Sequence, residues 1–446
     1  MELTETTLQA LEKPWASMVR KNVELLDKIY HAINGPFHII HPETFAENLR
    51  RFDEALVEHD VLGRIFFGKK ANKSGAWLRE LVEIEGAVDA ASVPEISHSL
   101  ANGVRGQDIG VTGAAKSNEL LWLAGRHDCL VAIDSLDELT RALNQVRRDR
   151  PLRILLRILP PTNPNSRFGL NAADLEAALL FCVNHRDIIS MRGFSFHLDG
   201  YAVKPRAELA LHLIDLCIAA RERGLIANSI SIGGGFACRY IAESDWLAFN
   251  STRTSDTFHA GKKFSHFYPY YQSPTGSNML RAILSNSSEG STLADKLRLH
   301  DINLFVEPGR ALLDGAGISV FPVQGFKRNA AHGIVTVGGL SMSISEQWKH
   351  SEFLPAPVLV QRGPDRPQKI TEAAIGGSSC MEYDMLTWRK VKFPAEPRYG
   401  DYIIYMNTAG YQMDKNESKF HQLPLPPKVV LKSNAQGLLW SIENDQ

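Results

Sequence analysis

From residue 65 to residue 306 the chain alternates short apolar runs with stretches whose apolar residues recur every three or four positions. The runs Ile65–Gly68, Ala87–Ala91, Ile109–Thr112, Leu130–Ile133, Ile154–Ile158, Gly193–Leu198, Ser229–Ile232 and Ile302–Val306 have the length of buried strands. Most of the gaps carry helical spacing, as in Ala76–Glu85, Ser117–Ala124, Leu136–Arg147, Ala172–Asn184 and Arg206–Arg223. This alternation predicts a parallel α/β sheet, and eight such units are the number that closes a (β/α)8, TIM-like barrel; an open doubly wound sheet is the alternative. Ahead of the barrel, a helix-like N-terminal segment leads to strand-like Phe37–Ile40. A helix from Pro42 to His59 comes next, with Phe45, Leu49, Phe52 and Leu56 on one face.

Beyond Arg310 the pattern changes to short runs separated by Gly and Pro: Ile318–Val323, Gly333–Val337, Pro357–Val360, Glu372–Ile375, Tyr402–Tyr405 and Val429–Leu431. That spacing predicts a second, all-β domain of sandwich or barrel type. The expected organisation is a barrel over residues 41–310 and a β domain built from 1–40 with 311–446. Residues 236–301 are far longer than one crossover needs. Phe258, Phe264, His266, Phe267, Tyr268, Tyr270 and Tyr271 argue that this insertion is ordered. A packed ornament and a lid or pocket wall are both open readings of it.

A chain of 446 residues is too long for one small core. Its formal net charge of -1 and the lack of a basic stripe argue against a nucleic-acid partner. Five cysteines, an odd number with no close pair, suit a reducing compartment and exclude both a disulfide framework and a CxxC metal site, so no metal is expected. The opening MELTETTLQALEKPW carries early acids and no apolar core, unlike a signal or transit peptide. No apolar run approaches the roughly 20 residues of a bilayer span. The expectation is a cytoplasmic protein with a small-molecule substrate and no membrane partner.

In a barrel, chemistry sits at the carboxyl ends of the strands. Lys70 follows the first strand, Asp89 and Ser92 end the second, Arg157 ends the fifth and His197 the sixth. Gly233–Gly235 follows the seventh, and Glu307-Pro308-Gly309-Arg310 the eighth. A lysine at the end of a buried strand is partly desolvated, which favours a neutral amine able to condense with an aldehyde. Taken alone, Lys69 and Lys70 read equally well as a solvated strand end. The glycine triplet leaves backbone N–H groups open to an anion in the region where barrels bind phosphate, with Arg310 nearby. No GxxxxGK[ST] motif is present, which argues against P-loop nucleotide hydrolysis. A phosphate clamp and a strand-end amine in one barrel point to a phosphorylated aldehyde cofactor.

Ten motifs fall in a characteristic order: KKAN at Lys69–Asn72, VDAAS at Val88–Ser92, TGAAKS at Thr112–Ser117, SRFGL at Ser166–Leu170, FHLDG at Phe196–Gly200, SIGGGF at Ser231–Phe236, VEPGR at Val306–Arg310, SSCMEYD at Ser378–Asp384, GDY at Gly400–Tyr402 and AGY at Ala409–Tyr411. The ordered set resembles the fold-type III pyridoxal-phosphate decarboxylases, the diaminopimelate, ornithine and arginine decarboxylase family related to alanine racemase. It spans nearly the whole chain. The resemblance implies pyridoxal 5'-phosphate held as a Schiff base on Lys70, with His197 stacked on its ring and Glu307 paired with the protonated ring nitrogen. It places the phosphate on the amides of Gly234 and Gly235, with Arg310 and the Tyr411 hydroxyl, and puts Asp89 and Arg157 in the shell around lysine and ring. It implies a homodimer with shared active sites, in which Cys380 and Asp384 come from the partner subunit and the cysteine protonates the carbanion. Substrate contacts are then expected from Cys380, Glu382, Asp384 and Tyr411.

Several positions depart from the family pattern. The family's HxGS reads His197-Leu198-Asp199-Gly200 here, so a serine contact is missing and an acid appears at Asp199. Arg167 stands where lysine is common, and Ser231 where Asp is frequent. The segment Leu423-Pro424-Leu425-Pro426 lacks an arginine that the family often shows. After the cysteine, where relatives carry an acid that reads the distal end of the substrate, this chain has Met381. A thioether cannot pair with an ammonium, so the expected substrate is a non-standard or conjugated amino acid rather than plain ornithine or lysine. Racemisation or epimerisation on the same scaffold is the alternative activity, and a decarboxylase-like regulator without catalysis the non-enzyme alternative.

Overall fold

Eight parallel strands close on themselves in the computed structural model, which describes residues 7–145, 150–288, 290–329, 332–344, 351–364, 366–415, 418–434 and 437–443. They are Gly63–Gly68, Ala87–Ala90, Ile109–Val111, Leu130–Ile133, Leu152–Arg157, Ile189–Ser195, Ser229–Ser231 and Asn303–Val306, called barrel strands one to eight. The ring closes because strand eight pairs in parallel with both strand seven and strand one. That closure removes the open-sheet alternative.

The connections fold as helices where the spacing predicts them: Gly75–Glu83, Val93–Ala101, Asn118–Arg126, Leu136–Leu143, Ala172–Asn184 and Val203–Glu222. Five of them start at a side-chain cap, because Ser74, Ser92, Ser117, Ser135 and Asn171 each accept a backbone N–H of the following first turn. Each such cap is worth about 1 kcal/mol and fixes where the strand-to-helix turn ends. The helix expected over Leu136–Arg147 stops at Leu143, and residues 146–149 lie outside the described residues. Strand six begins at Ile189 rather than Gly193, and Arg192 sits at a register shift opposite Ile154 and Leu155 that interrupts its apolar pattern.

Inside the barrel, Phe66, Ala87, Leu130 and Leu155 form a cluster joined by Phe305. The Phe66 and Phe305 rings meet edge to face at 5.5 Å and 70°. A cavity of about 20 Å³ is lined by Phe66, Leu130, Leu155 and Phe305 and by Asp89, Thr112, Ser231 and Glu307. It has room for about one water, so the apolar plug gives way directly to the polar groups of the mouth.

The chain divides into two compact units, one of residues 46–237 and 274–312 containing the barrel, the other of 1–45, 238–273 and 313–446. The second unit carries a nine-stranded sheet. Its main path runs Met385–Phe393, Thr371–Gly376, Gly333–Val337, Gly317–Arg328, Phe37–Ile40, Lys428–Asn434, Gly437–Ile442. Off that path Tyr402–Tyr405 pairs with Gly317–Arg328 and with Val358–Val360. Helices Pro14–Lys21 and Val23–Ile33 lay Trp15, Val19, Leu26 and Ile29 onto Phe37, Ile39, Ile318, Val320, Tyr402 and Val429 of the sheet. Two strands have no clear signature in the sequence. Met385–Phe393 is disguised by its cations, yet Arg389 is buried there, its main-chain N–H donating to the carboxylate of Glu352. Gly437–Ile442 is an edge strand whose apolar residues are largely exposed.

The aromatic stretch expected as a barrel insertion is divided between the units. Residues 238–273 belong to the β unit, where Ile241 bridges Ala10 and Phe258 bridges Arg389. Tyr240, Tyr268, Tyr270 and Phe353 meet there edge on, and the Tyr270 hydroxyl donates to the Glu352 carbonyl. Residues 274–312 stay with the barrel, where Arg281 of helix Gly276–Leu284 makes two bonds, 2.6 and 2.8 Å, to the Glu58 carboxylate. Among the described residues no helix is long and apolar enough to cross a membrane.

Phe66→Ala should lower the unfolding free energy by about 3–5 kcal/mol in chemical denaturation, since it removes the ring that fills the barrel floor. A loss below about 1 kcal/mol would mean the floor collapses around the gap.

Candidate active site

Register decides which side chains meet at the barrel mouth. Gly68 of strand one pairs with Asp89 of strand two, so two residues further on the Lys70 amine reaches Asp89, with Nζ to Oδ2 at 3.8 Å. Ser231 of strand seven pairs with Phe305 of strand eight, so its hydroxyl reaches two residues on and donates to Glu307 Oε1 at 2.7 Å. The Glu307 main-chain N–H donates to the Gly233 carbonyl at 2.9 Å. Arg157, Ser195 and Ser231 lie in register across strands five, six and seven, and His197 stands two residues after Ser195.

The lysine differs from its expected environment. Lys70 is half exposed, at 50% of its side chain, rather than buried. Lys69 is the buried member of the pair, and its amine donates to the Lys73 carbonyl. The charged neighbour of Lys70 is Asp89. Asp89 is 3% exposed, and burial together with the neighbouring Glu307 carboxylate pushes it up to about 7, against the opposing pull of Lys70 and a Thr112 hydrogen bond. Its Oδ1 has no hydrogen-bond partner.

His197 is pushed down to about 3, first by burial and then by Lys70, Arg157 and Arg206. It is therefore a neutral imidazole at any physiological pH. Its Nδ1 accepts the Gly234 N–H at 3.3 Å, which leaves the ring proton on Nε2. The Gly234 amide, expected at the phosphate, is here turned to His197. The Gly233 N–H likewise goes to Ser231 Oγ at 3.3 Å, whereas the Gly235 N–H has no partner among the described residues. A Cβ on Gly234 would come within 2.7 Å of the Glu307 carbonyl, and one on Gly233 within 2.7 Å of His197 Nδ1. Arg310 is buried at the start of a short turn after strand eight.

Arg157 lies 3.5 Å from Asp134, which follows strand four, and 4.4 Å over the Phe168 ring. The SRFGL segment is folded back for this contact, since the Leu170 N–H donates to the Arg157 carbonyl. Behind Asp134 lies the pair Lys116–Glu138, at 3.1 Å and almost wholly buried, whose carboxylate also accepts the Asp134 N–H. Asp134, Glu138 and Phe168 are not among the residues expected from sequence, although Asp134 carries the same signal as Asp89, an acid at the end of an apolar strand. Arg206 gave no signal, being one cation on a helix.

The remaining candidates belong to the β unit. Cys380 is exposed, and its main-chain N–H donates to His421 Nε2 at 3.4 Å. Glu382 is exposed, and Tyr411 is half-buried with φ +76. Asp384 is buried, and its two oxygens accept the N–H groups of Ser341 and Ser379 at 2.8 and 3.2 Å. That carboxylate organises the Cys380 loop.

A family model described as pyridoxal-dependent decarboxylase, pyridoxal binding domain, matches residues 43–266, about half of the chain. An uncharacterized protein of Sinorhizobium fredii, y4yA, is 30% identical over 90% of this chain and 89% of its own length. The diaminopimelate decarboxylase of Bacillus subtilis is 22% identical over 93% of this chain and 91% of its own. The diaminopimelate decarboxylase of Helicobacter pylori, solved with L-lysine, shares the fold with a TM-score of 0.72 at 17% identity, over 94% and 97% of the two chains. The model match and the Sinorhizobium relative place this barrel among known proteins: the chain belongs to the fold-type III, pyridoxal-phosphate-dependent amino-acid decarboxylases.

Proposed function

We propose that the chain decarboxylates an amino acid other than plain ornithine or lysine, with Lys70 as the covalent anchor of pyridoxal phosphate and Cys380 of the partner subunit in a homodimer as proton donor to Cα. The observation that carries this reading is the meeting of Lys70, Asp89, His197 and Glu307 at one barrel mouth, with Glu307 held by Ser231. The residues fit the cofactor. The Gly235 N–H is open to a phosphate, and the buried Oδ1 of Asp89 lacks a partner.

When bound, pyridoxal phosphate supplies an electron sink for the pair left at Cα as carbon dioxide departs. The protein's groups have separate tasks around it. Glu307, fixed by the Ser231 hydroxyl, would keep a proton on the ring nitrogen. His197, uncharged and held through Nδ1, offers a flat face with no charge to set against that proton. Asp89 sits 3.8 Å from Lys70 Nζ with its carboxyl raised to about 7, so it can take or return the lysine's proton near neutral pH. Arg157, backed by Asp134 and Phe168, places a guanidinium where a carboxylate can be oriented.

Met381 and its neighbours bear on the choice of substrate. Met381 is half-buried and cannot pair with an ammonium, Glu382 points into solvent, and Asp384 is already engaged by two backbone amides. The position directly after Cys380 therefore holds no acid for a distal cation.

Incubating the purified enzyme with a panel of amino acids, and following carbon dioxide against optical rotation, tests the reaction. Carbon dioxide is expected from a substrate without a free distal ammonium, with ornithine and lysine at least about tenfold slower. Loss of rotation without carbon dioxide would move the reading to racemisation. Asp89 makes stability depend on pH as well. Its ordinary pKa of 3.8 is raised to about 7 on folding, so its contribution to stability is full below its unfolded value and is lost as pH rises through 7. In the cofactor-free protein, the stability of Asp89→Asn relative to wild type should accordingly climb from about pH 4 to about pH 8 in urea denaturation. A difference that stays constant with pH would contradict the raised pKa.

A further inference from the structure

Arg206 lies in the first turn of the helix Val203–Glu222 and is 1% exposed. Its guanidinium donates to the carbonyl oxygens of Leu198, Gly200 and Ala202 at 3.0, 2.6 and 2.9 Å, tying down the loop that comes after His197. Among the described residues it makes no ion pair, and its Nε is buried without a partner. Asp199, which is exposed, and Tyr201 act on it only through space.

The same guanidinium presses on the glycine turn. A Cβ at Gly235 would come within 2.1 Å of Arg206 Nη2 and within 2.9 Å of the Gly200 carbonyl, and Gly235 holds φ +81. A cation therefore sits directly behind the amide that the site leaves open. A buried charge whose nearest acid, Asp199, is solvent-exposed and unbonded to it is poorly compensated, and three carbonyl dipoles offset only part of the cost. The position calls for an anion on the far side of Gly235.

We propose that Arg206 is the buried counter-charge of the phosphate subsite at Gly235, replacing in this chain the serine contact that is missing at Gly200. It is a positioning residue. It acts through the Gly235 backbone and through its field, and it holds Gly200 against the glycine turn. A dianionic phosphate ester gains most from such a charge, and an unphosphorylated ring gains little. This role rests on reading the barrel mouth as a pyridoxal phosphate site.

The test compares the binding of pyridoxal 5'-phosphate and of unphosphorylated pyridoxal to cofactor-free wild type, Arg206→Met and Arg206→Lys, followed by absorbance of the bound chromophore. Arg206→Met should weaken pyridoxal phosphate by at least about tenfold and change pyridoxal by less than about twofold, with Arg206→Lys between. Both affinities falling by the same factor, or neither falling, would overturn the proposal while leaving the cofactor reading intact. Wild type that binds neither compound would overturn both. If the variants do not fold, the phosphorus resonance of wild-type holoenzyme decides. Beside a buried guanidinium the ester stays dianionic, so its shift should hold constant between about pH 5.5 and 8.5, whereas a resonance titrating near pH 6 would overturn the assignment.

Discussion

At Gly233, Gly234 and Gly235 the main chain comes so close to its surroundings that no side chain fits. His197 Nδ1, the Glu307 carbonyl and Arg206 Nη2 each occupy the position that a Cβ would take. One turn of bare backbone thus joins the ends of strands six, seven and eight and sets the direction of the imidazole, the carboxylate and the open amide together. Displacing it by the volume of a methyl group would move all three at once, which is why the site depends on this contact more than on any single charged residue.

The charges at the mouth form a second layer of constraint. Burial and the Glu307 carboxylate raise the proton affinity of Asp89, and Lys70 and Arg157 are the cations set near the two acids. Thr112 of the TGAAKS motif bonds Asp89, while Lys116 of the same motif reaches Glu138, whose carboxylate anchors the backbone of Asp134 and through it Arg157. A motif that touches no reacting atom therefore fixes two groups on opposite sides of the mouth.

Most of the barrel was legible because its strands are short and mostly buried and most of the helices between them begin at serine or asparagine caps, both of which leave local signatures. Lys70, Asp89, His197 and Glu307 could be picked out because polar residues at the ends of apolar runs are unusual. The glycine turn could be placed, but not which amide it would spend on His197, since that depends on pairing between strands distant in sequence. Arg206 was invisible for a similar reason, as its partners are carbonyl oxygens four to eight residues upstream and a glycine on another strand. The strand Met385–Phe393 was hidden because Arg389 is buried there beside Glu352, against the rule that charges mark the surface.

The proposed chemistry turns on the amine of Lys70 and not on that of Lys69, its buried neighbour. Hydride reduction of the holoenzyme and subsequent peptide mass spectrometry test this most directly. A pyridoxyl phosphate adduct on Lys70 is the expected result, and an adduct on Lys69, on any other side chain or on none would contradict it.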